Sequence, residues 1–293
     1  MKILFIGTVL FSARALRELI AMQANVVGVC TLEQSPFNAD HVDLRPIAEQ
    51  AHIPVRYTPE INHADTLAWI QQQAPDVIFC FGWSRLLRRP LLTIPRFGVI
   101  GFHPAALPAN RGRHPLIWAL VLGLKETAST FFFMDDGVDS GDILSQVPVP
   151  IHATDDAASL YASITKVAIE QLRDFVPRLA EGRCQRIPQD VRQANVWRKR
   201  GAADGRIDWR MAAESIHNLV RGLTRPYIGA HFEHQGHRIT VWRTELEPGV
   251  PLNREPGKIL AVDKRGVLIK TGIGGLRLCE IEPDVKLQVE DYL

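Results

Sequence analysis

Cysteine is scarce in this chain: four stand in 293 residues, at positions 30, 80, 184 and 279, with no Cys-x-x-Cys pair among them. That spacing excludes a disulfide framework and a zinc ribbon. Cys30 and Cys80 sit inside apolar runs, where a thiol acts as a small buried hydrophobe, so a reduced, cytoplasmic protein is expected. Long hydrophobic stretches are missing too: no run reaches the roughly 18 residues of a membrane span. The opening "MKILFIGTVL" turns polar at Ser12 and Arg14 without a small-residue cleavage site. It is expected to be a first buried strand rather than a signal sequence. Charge of one sign is also lacking. A formal net of +2 argues against a chain that wraps nucleic acid, which needs a stronger or more concentrated positive field. Glycine is sparse where a dinucleotide would need it. "GTVLFS" carries only Gly7 at the first strand–helix turn, where a pyrophosphate fingerprint has three, and no GxxxxGK[ST] loop occurs. There is no internal repeat and no low-complexity tract.

What is present is an apolar fraction of 46%, enough for one large or two ordinary cores. Short apolar runs at 2–7, 25–30, 54–59 and 76–82 alternate with amphipathic segments at 12–22, 44–51 and 64–73. Strands apolar on both faces and separated by helices predict a Rossmann-like, mostly parallel sheet covered on each side. Its ligand crevice is expected beyond the carboxyl ends of the strands. A strand pair at 129–134 and 143–149 and a long helix at 157–179 come next. Around 181–206 the pattern dissolves into polar and basic residues with Gly182, Pro188, Gly201 and Gly205, which predicts a linker. Beyond a helix at 212–221, the turn signals "HQGH", "DKRG" and "GIGG" predict a small β-rich domain, an OB-like, partly open barrel. The expected fold class is thus α/β with a smaller C-terminal β-rich domain. The expected division is 1–182, a linker at 183–203, and 204–293. In "HFEHQGH", strand alternation puts His231 and His234 on opposite faces, so no metal site is expected.

Two segments carry candidate chemistry. His103 ends the run "FGVIGFH", and Pro104 and Pro108 stiffen the residues after it. An imidazole there either caps a strand end or serves as a general base, since it titrates near neutral pH. The turn "MDDGVDSGDIL" offers Asp135, Asp136, Asp139 and Asp142. Aspartate and glycine are ordinary turn residues, but a carboxylate returning to the same sheet mouth could fix the tautomer of the histidine.

The combination "HPAALPANRG…PLIWAL…ET…STFFFMDDGVDSGDIL" resembles the folate-dependent formyltransferases. The hallmark of that family is Asn-x-His, then Leu-Pro and Arg-Gly, then Met-x-x-Gly-x-Asp-x-Gly. The resemblance implies that His103 and Asp139 are catalytic and that N10-formyltetrahydrofolate is the formyl donor. It further implies that folate is held by the segment at Trp83, Ser84, Arg85 and Leu86 and by the turn at Asp135 and Gly137. One position departs from the pattern. The family asparagine, whose amide would stabilise the oxyanion for roughly 3 kcal/mol, falls on Gly101. A neighbour such as Asn110 could replace it, a backbone N–H or the protonated histidine could suffice, or the protein is slow or inactive.

The acceptor is expected to be a nucleotide-linked amino sugar. The segment "TLEQSPFNADHVDLRP" holds three acids (Glu33, Asp40, Asp43) and one arginine (Arg45), a poor clamp for a polyphosphate backbone. The C-terminal run from "DGRIDW" to "VW" resembles that of the sugar formyltransferases. Expected acceptor contacts are Asn110, Arg111, Arg113, Arg221 and Tyr227, with arginine forks suited to phosphate. Arg221 alternatively serves as a charge at a helix C-terminus. No nucleic acid and no membrane are expected as partners, and the β-rich tail offers a surface for a homodimer. The alternatives are a methionyl-tRNA formyltransferase, a low-activity binder of folate or nucleotide sugar, and a folate-deformylating hydrolase.

Overall fold

The computed structural model describes residues 1–35 and 39–293 and divides into two compact units. One comprises 1–112, 127–149 and 163–197; the other comprises 113–126, 150–162 and 198–293. Among the described residues, no helix is long and apolar enough to cross a membrane.

In the first unit the chain runs β1 (Ile3–Gly7), α1 (Leu10–Ala21), β2 (Val26–Thr31), α2 (Arg45–Gln50), β3 (Val55–Tyr57), α3 (Ala64–Gln72), β4 (Val77–Phe81), α4 (Arg89–Leu92), β5 (Val99–His103) and the short β6 (Arg111–Gly112). After a helix of the second unit, α5 (Pro115–Val121), it continues through β7 (Glu126–Phe133), β8 (Ile143–Pro150), the long α6 (Ala157–Ala180) and β9 (Val196–Trp197). Seven strands form one sheet in the order β3-β2-β1-β4-β5-β7-β8. The pairings from β3 to β5 are parallel, and β5 with β7 is antiparallel. Every residue of β1 and β4 is buried, as strands covered on both faces require. Strand order reverses between these two, and such a switch point, beyond the carboxyl ends of the strands at Thr8 and Trp83, is where a sheet of this class takes its ligand.

Gly7 belongs to this crossing rather than to a phosphate loop. A Cβ there would lie 2.5 Å from Ser12 Cβ and 2.6 Å from the Phe81 carbonyl. The Ser12 hydroxyl donates to that carbonyl at 2.5 Å and accepts the Val9 N–H at 3.2 Å, tying the start of α1 to β4. Beneath lies a continuous set of rings: Phe5, Phe11, Phe79, Phe81, Phe102, Phe131 and Phe175, with Phe11 and Phe102 centroids 4.1 Å apart. Burial pushes the Cys30 thiol up to about 12 and raises that of Cys80, so both serve as packing atoms.

The second unit carries α7 (Ala213–Leu223) and an antiparallel sheet of β10 (Ala230–His234), β11 (His237–Glu247), β12 (Ile259–Asp263), β13 (Gly266–Lys270) and β14 (Gly275–Glu282). The order is β10-β11-β14-β13-β12, with the two outer strands unpaired to each other, so the sheet is open and not a closed barrel. Ala213, Ile216, Leu219, Val220 and Leu223 recur along one face of α7 and pack on Phe232, Ile239, Val241 and Leu276. α5 joins the same core through Ile117. The β10–β11 turn has Gln235 at φ 50° and Gly236 at φ 79°, the left-handed pair that a two-residue hairpin demands.

The segment expected as a bare linker is ordered. It holds a 3₁₀ turn at Val191–Gln193 and the strand β9, which pairs in parallel with β6. Phe131 touches Phe11, Phe81, Phe102 and Phe175 and is fully buried. Phe131→Ala is expected to cost about 3–5 kcal/mol, read as a shift in the urea unfolding midpoint at unchanged slope.

Candidate active site

Successive side chains of a strand point to opposite faces. Phe102 is drawn into the ring cluster, which turns Gly101 and His103 to the other face of β5. His103 is only 5% exposed. Its Nε2 lies 2.7 Å from the Asn110 carbonyl. A carbonyl only accepts, so Nε2 carries a hydrogen there. Nδ1 lies 3.6 Å from Asp139 Oδ2. The predicted pairing of a ring and a carboxylate is therefore present.

Asp139 arrives by an unexpected route. Because β7 runs antiparallel to β5, its last residue faces Ile100, and Met134 N–H bonds the Val99 carbonyl at 2.7 Å. The turn thus leaves the sheet beside the start of β5 and travels back along that strand to meet His103. Asp135 and Gly137 shape this turn: Asp135 Oδ1 accepts from Gly137 N–H at 3.0 Å and Ser140 Oγ at 2.7 Å. Asp139 itself is left-handed at φ 50°, and its Oδ2 accepts the Gly112 N–H at 2.8 Å. Gly112 has φ 103°, and a Cβ there would sit 2.3 Å from the Trp197 carbonyl. The Arg-Gly of the sequence motif is thereby explained: glycine lets β6 lie against β9 while its N–H grips the carboxylate.

Three residues that no sequence pattern selects hold this arrangement. Asn195 Oδ1 accepts the Asn110 N–H at 2.7 Å, and the Asn195 carbonyl accepts the Arg111 N–H at 3.1 Å. Gln189 bridges Arg111 to the carbonyls of Asp139 and Gly141. Trp197 pairs with Gly112. They lie in the polar segment after α6, where no periodicity marks them.

The remaining sequence-selected residues are more scattered. Asn110 meets His103 through its main-chain carbonyl, at φ 65°. Arg111 is buried, with its guanidinium on Gln189. Arg113 lies in the second unit. With burial as the main cause, its charge and those of Arg200 and Lys199 hold the neighbouring His114 imidazole below its ordinary range. Arg221 is buried and donates to the carbonyls of His152 and Asp155 and to Asn218 Oδ1, so it clamps the chain before α6. Tyr227 packs against the core of the second unit. In the crevice loop, Leu86 is exposed and its carbonyl accepts from Asn62 Nδ2 at 2.9 Å. Arg85 pairs with Glu60, and Ser84 follows Trp83. The Trp83 Nε1 is buried without a hydrogen-bond partner. A buried donor left unmatched costs about 1–3 kcal/mol, so this one suits a ligand edge bearing acceptors, as a pterin has.

The place of the missing asparagine amide is filled. A Cβ at Gly101 would lie 2.9 Å from two ring carbons of Phe132 and 3.0 Å from Met134 Cγ, and Phe132 packs with Leu107, Ile143 and Met134. Overpacking of this kind costs about 1–3 kcal/mol. Gly101→Asn is therefore expected to lower thermal stability by that amount rather than to restore a donor, and calorimetry reads it. Against known proteins, a model described as formyl transferase matches residues 1–176, and one described as the formyl transferase C-terminal domain matches residues 200–293. A methionyl-tRNA formyltransferase of Citrifermentans bemidjiense is 33% identical across all of this chain and 93% of its own length. Among solved structures, the sugar 3N-formyltransferase WlaRD superimposes with a TM-score of 0.72 at 14% identity, covering 97% of this chain and 99% of that one. An N-formyltransferase from Helicobacter canadensis does so with a TM-score of 0.71 at 16% identity, covering 95% and 99%. Matched by family models over both of its parts and by a relative along its entire length, the chain belongs to the formyl transferase family.

Proposed function

We propose that the protein moves the formyl group of N10-formyltetrahydrofolate onto the amine of a nucleotide-linked amino sugar. The His103–Asp139 pair supports the chemistry. The acceptor nitrogen bonds to the formyl carbon as the bond from that carbon to N10 breaks. His103 takes the proton that the acceptor nitrogen sheds and returns it to the departing nitrogen. Asp139, held by Gly112, keeps the ring oriented and balances its charge while the proton is aboard. With its one hydrogen on Nε2, held by the Asn110 carbonyl, the neutral ring takes that proton at Nδ1, the nitrogen that faces Asp139. The donor supplies the formyl carbon, and Trp83 Nε1, the main chain at 84–86 and the Asp135–Gly137 turn are the groups that would hold its pterin.

One observation carries the choice of acceptor. The segment 31–46, in which residues 36–38 lie outside the described residues, contains a single arginine. Arg45 is already engaged, paired with Glu49 at 3.2 Å and lying over the Tyr57 ring at 4.0 Å. Phosphate contacts dominate nucleic-acid affinity, and this segment brings no uncommitted arginine to them. Two fold neighbours, a sugar 3N-formyltransferase and an N-formyltransferase in complex with dTDP-3-aminofucose, lend support. A second reading, transfer to methionyl-tRNA, is favoured by the 33% identity over the full chain.

Incubation with N10-formyltetrahydrofolate and either dTDP-3-aminofucose or initiator methionyl-tRNA separates them. Formamide on the sugar with none on the tRNA is expected; the reverse, with a rate falling steeply in salt, would overturn the sugar reading. His103→Ala is expected to lower kcat by about 10²–10⁴-fold with the fold retained, the bond lost to the Asn110 carbonyl costing about 1–3 kcal/mol of stability. Asp139→Asn is expected to lower kcat with little change in KM.

A further inference from the structure

We infer that Gln189 is the positioning residue for Asp139, so that the segment following α6 belongs to the working site rather than to a tether. The inference rests on reading His103 and Asp139 as the catalytic pair. All four hydrogen-bonding capacities of the Gln189 amide are in use. Its Nε2 donates to the carbonyls of Asp139 at 2.9 Å and Gly141 at 2.7 Å. Its Oε1 accepts from Arg111 Nε at 3.1 Å and Nη2 at 2.6 Å. On one side it therefore grips the main chain that carries the carboxylate. On the other it grips Arg111, whose neighbour Gly112 donates to that carboxylate at 2.8 Å.

Asp139 needs such support. A non-glycine residue at φ 50° lies in a sparsely populated region of backbone space and is kept there by the contacts around it. Its side chain is fixed by Gly112 and its carbonyl by Gln189, so the two bonds set where Oδ2 lies relative to His103 Nδ1. Glutamine is the side chain that suits this place. Glutamate would keep the Arg111 contact but turn a carboxylate oxygen toward two carbonyls. Methionine would keep the volume and lose every bond.

The test compares Gln189→Met, Gln189→Glu and Asp139→Asn with the parent protein. Melting temperature, kcat and KM are measured with N10-formyltetrahydrofolate and dTDP-3-aminofucose, and the imidazole ¹⁵N shifts of His103 are recorded at one pH. Both Gln189 variants are expected to melt within about 4 °C of the parent. Their kcat is expected to fall by up to about 100-fold with KM little moved, and their His103 nitrogen pattern should approach that of Asp139→Asn. Parent-like kcat and nitrogen pattern in Gln189→Met, alongside loss of both in Asp139→Asn, would overturn the inference and leave the catalytic pair standing. A parent-like Asp139→Asn would overturn both. Should the parent leave the amino sugar unformylated, only the acceptor reading fails, and the nitrogen pattern decides: shared by Gln189→Met and Asp139→Asn it supports the inference, parent-like in Gln189→Met it overturns it. Should Gln189→Met fail to fold, Gln189→Glu, which keeps Arg111 bonded, takes its place with the same two outcomes.

Discussion

The bond from the Gly112 N–H to the Asp139 carboxylate, 2.8 Å long, governs the rest of the site. A main-chain donor cannot rotate away as a side chain can, so the carboxylate is as well placed as the strand that offers the donor. That strand, β6, is two residues long and has one partner, β9. The partnership requires a glycine, because any side chain at 112 would enter the Trp197 carbonyl. The carboxylate of Asp139 is thus located by a ladder contact between residues more than eighty positions apart in the chain.

The opposite member of the pair is located by packing. Phe102 stacks within 4.1 Å of Phe11 and 5.0 Å of Phe131, and the alternation of a strand then decides where 101 and 103 face. Apolar burial on one face of β5 fixes polar chemistry on the other. The interior is close-packed, so the histidine inherits the rigidity of the rings behind it. This division between an apolar anchor and a polar neighbour recurs in the turn after β7. There Ile143 joins the Phe132 and Met134 cluster, while Asp135 and Ser140 close the loop by hydrogen bonds.

Local pattern made much of this readable. β1, β2 and β4 follow from apolar runs, α1, α3 and α6 from helical periodicity, and the choice of Asp139 as partner of His103 from the resemblance to the formyltransferase hallmark. The unreadable part depends on long-range geometry. The antiparallel direction of β7 has no local signature, so the path of Asp139 back along β5 was not foreseeable. Gln189 and Asn195 sit in a segment whose composition matches a linker, and their roles come from the partners they meet. "PLIWAL" gives no hint that Ile117 packs with α7. Arg221 shows the converse: a cation expected at a ligand instead satisfies the carbonyls of His152 and Asp155, a demand that arises only once the chain is folded.

The carbonyl of Asn110 has a bearing on which ring nitrogen is left to act. Because Nε2 commits its hydrogen to a fixed main-chain acceptor, the neutral ring keeps its lone pair at Nδ1, on the side turned to Asp139. A proton received there arrives beside a negative charge, so the cation is neutralised at the atom where it forms. One main-chain oxygen in the loop after the strand thereby selects the tautomer.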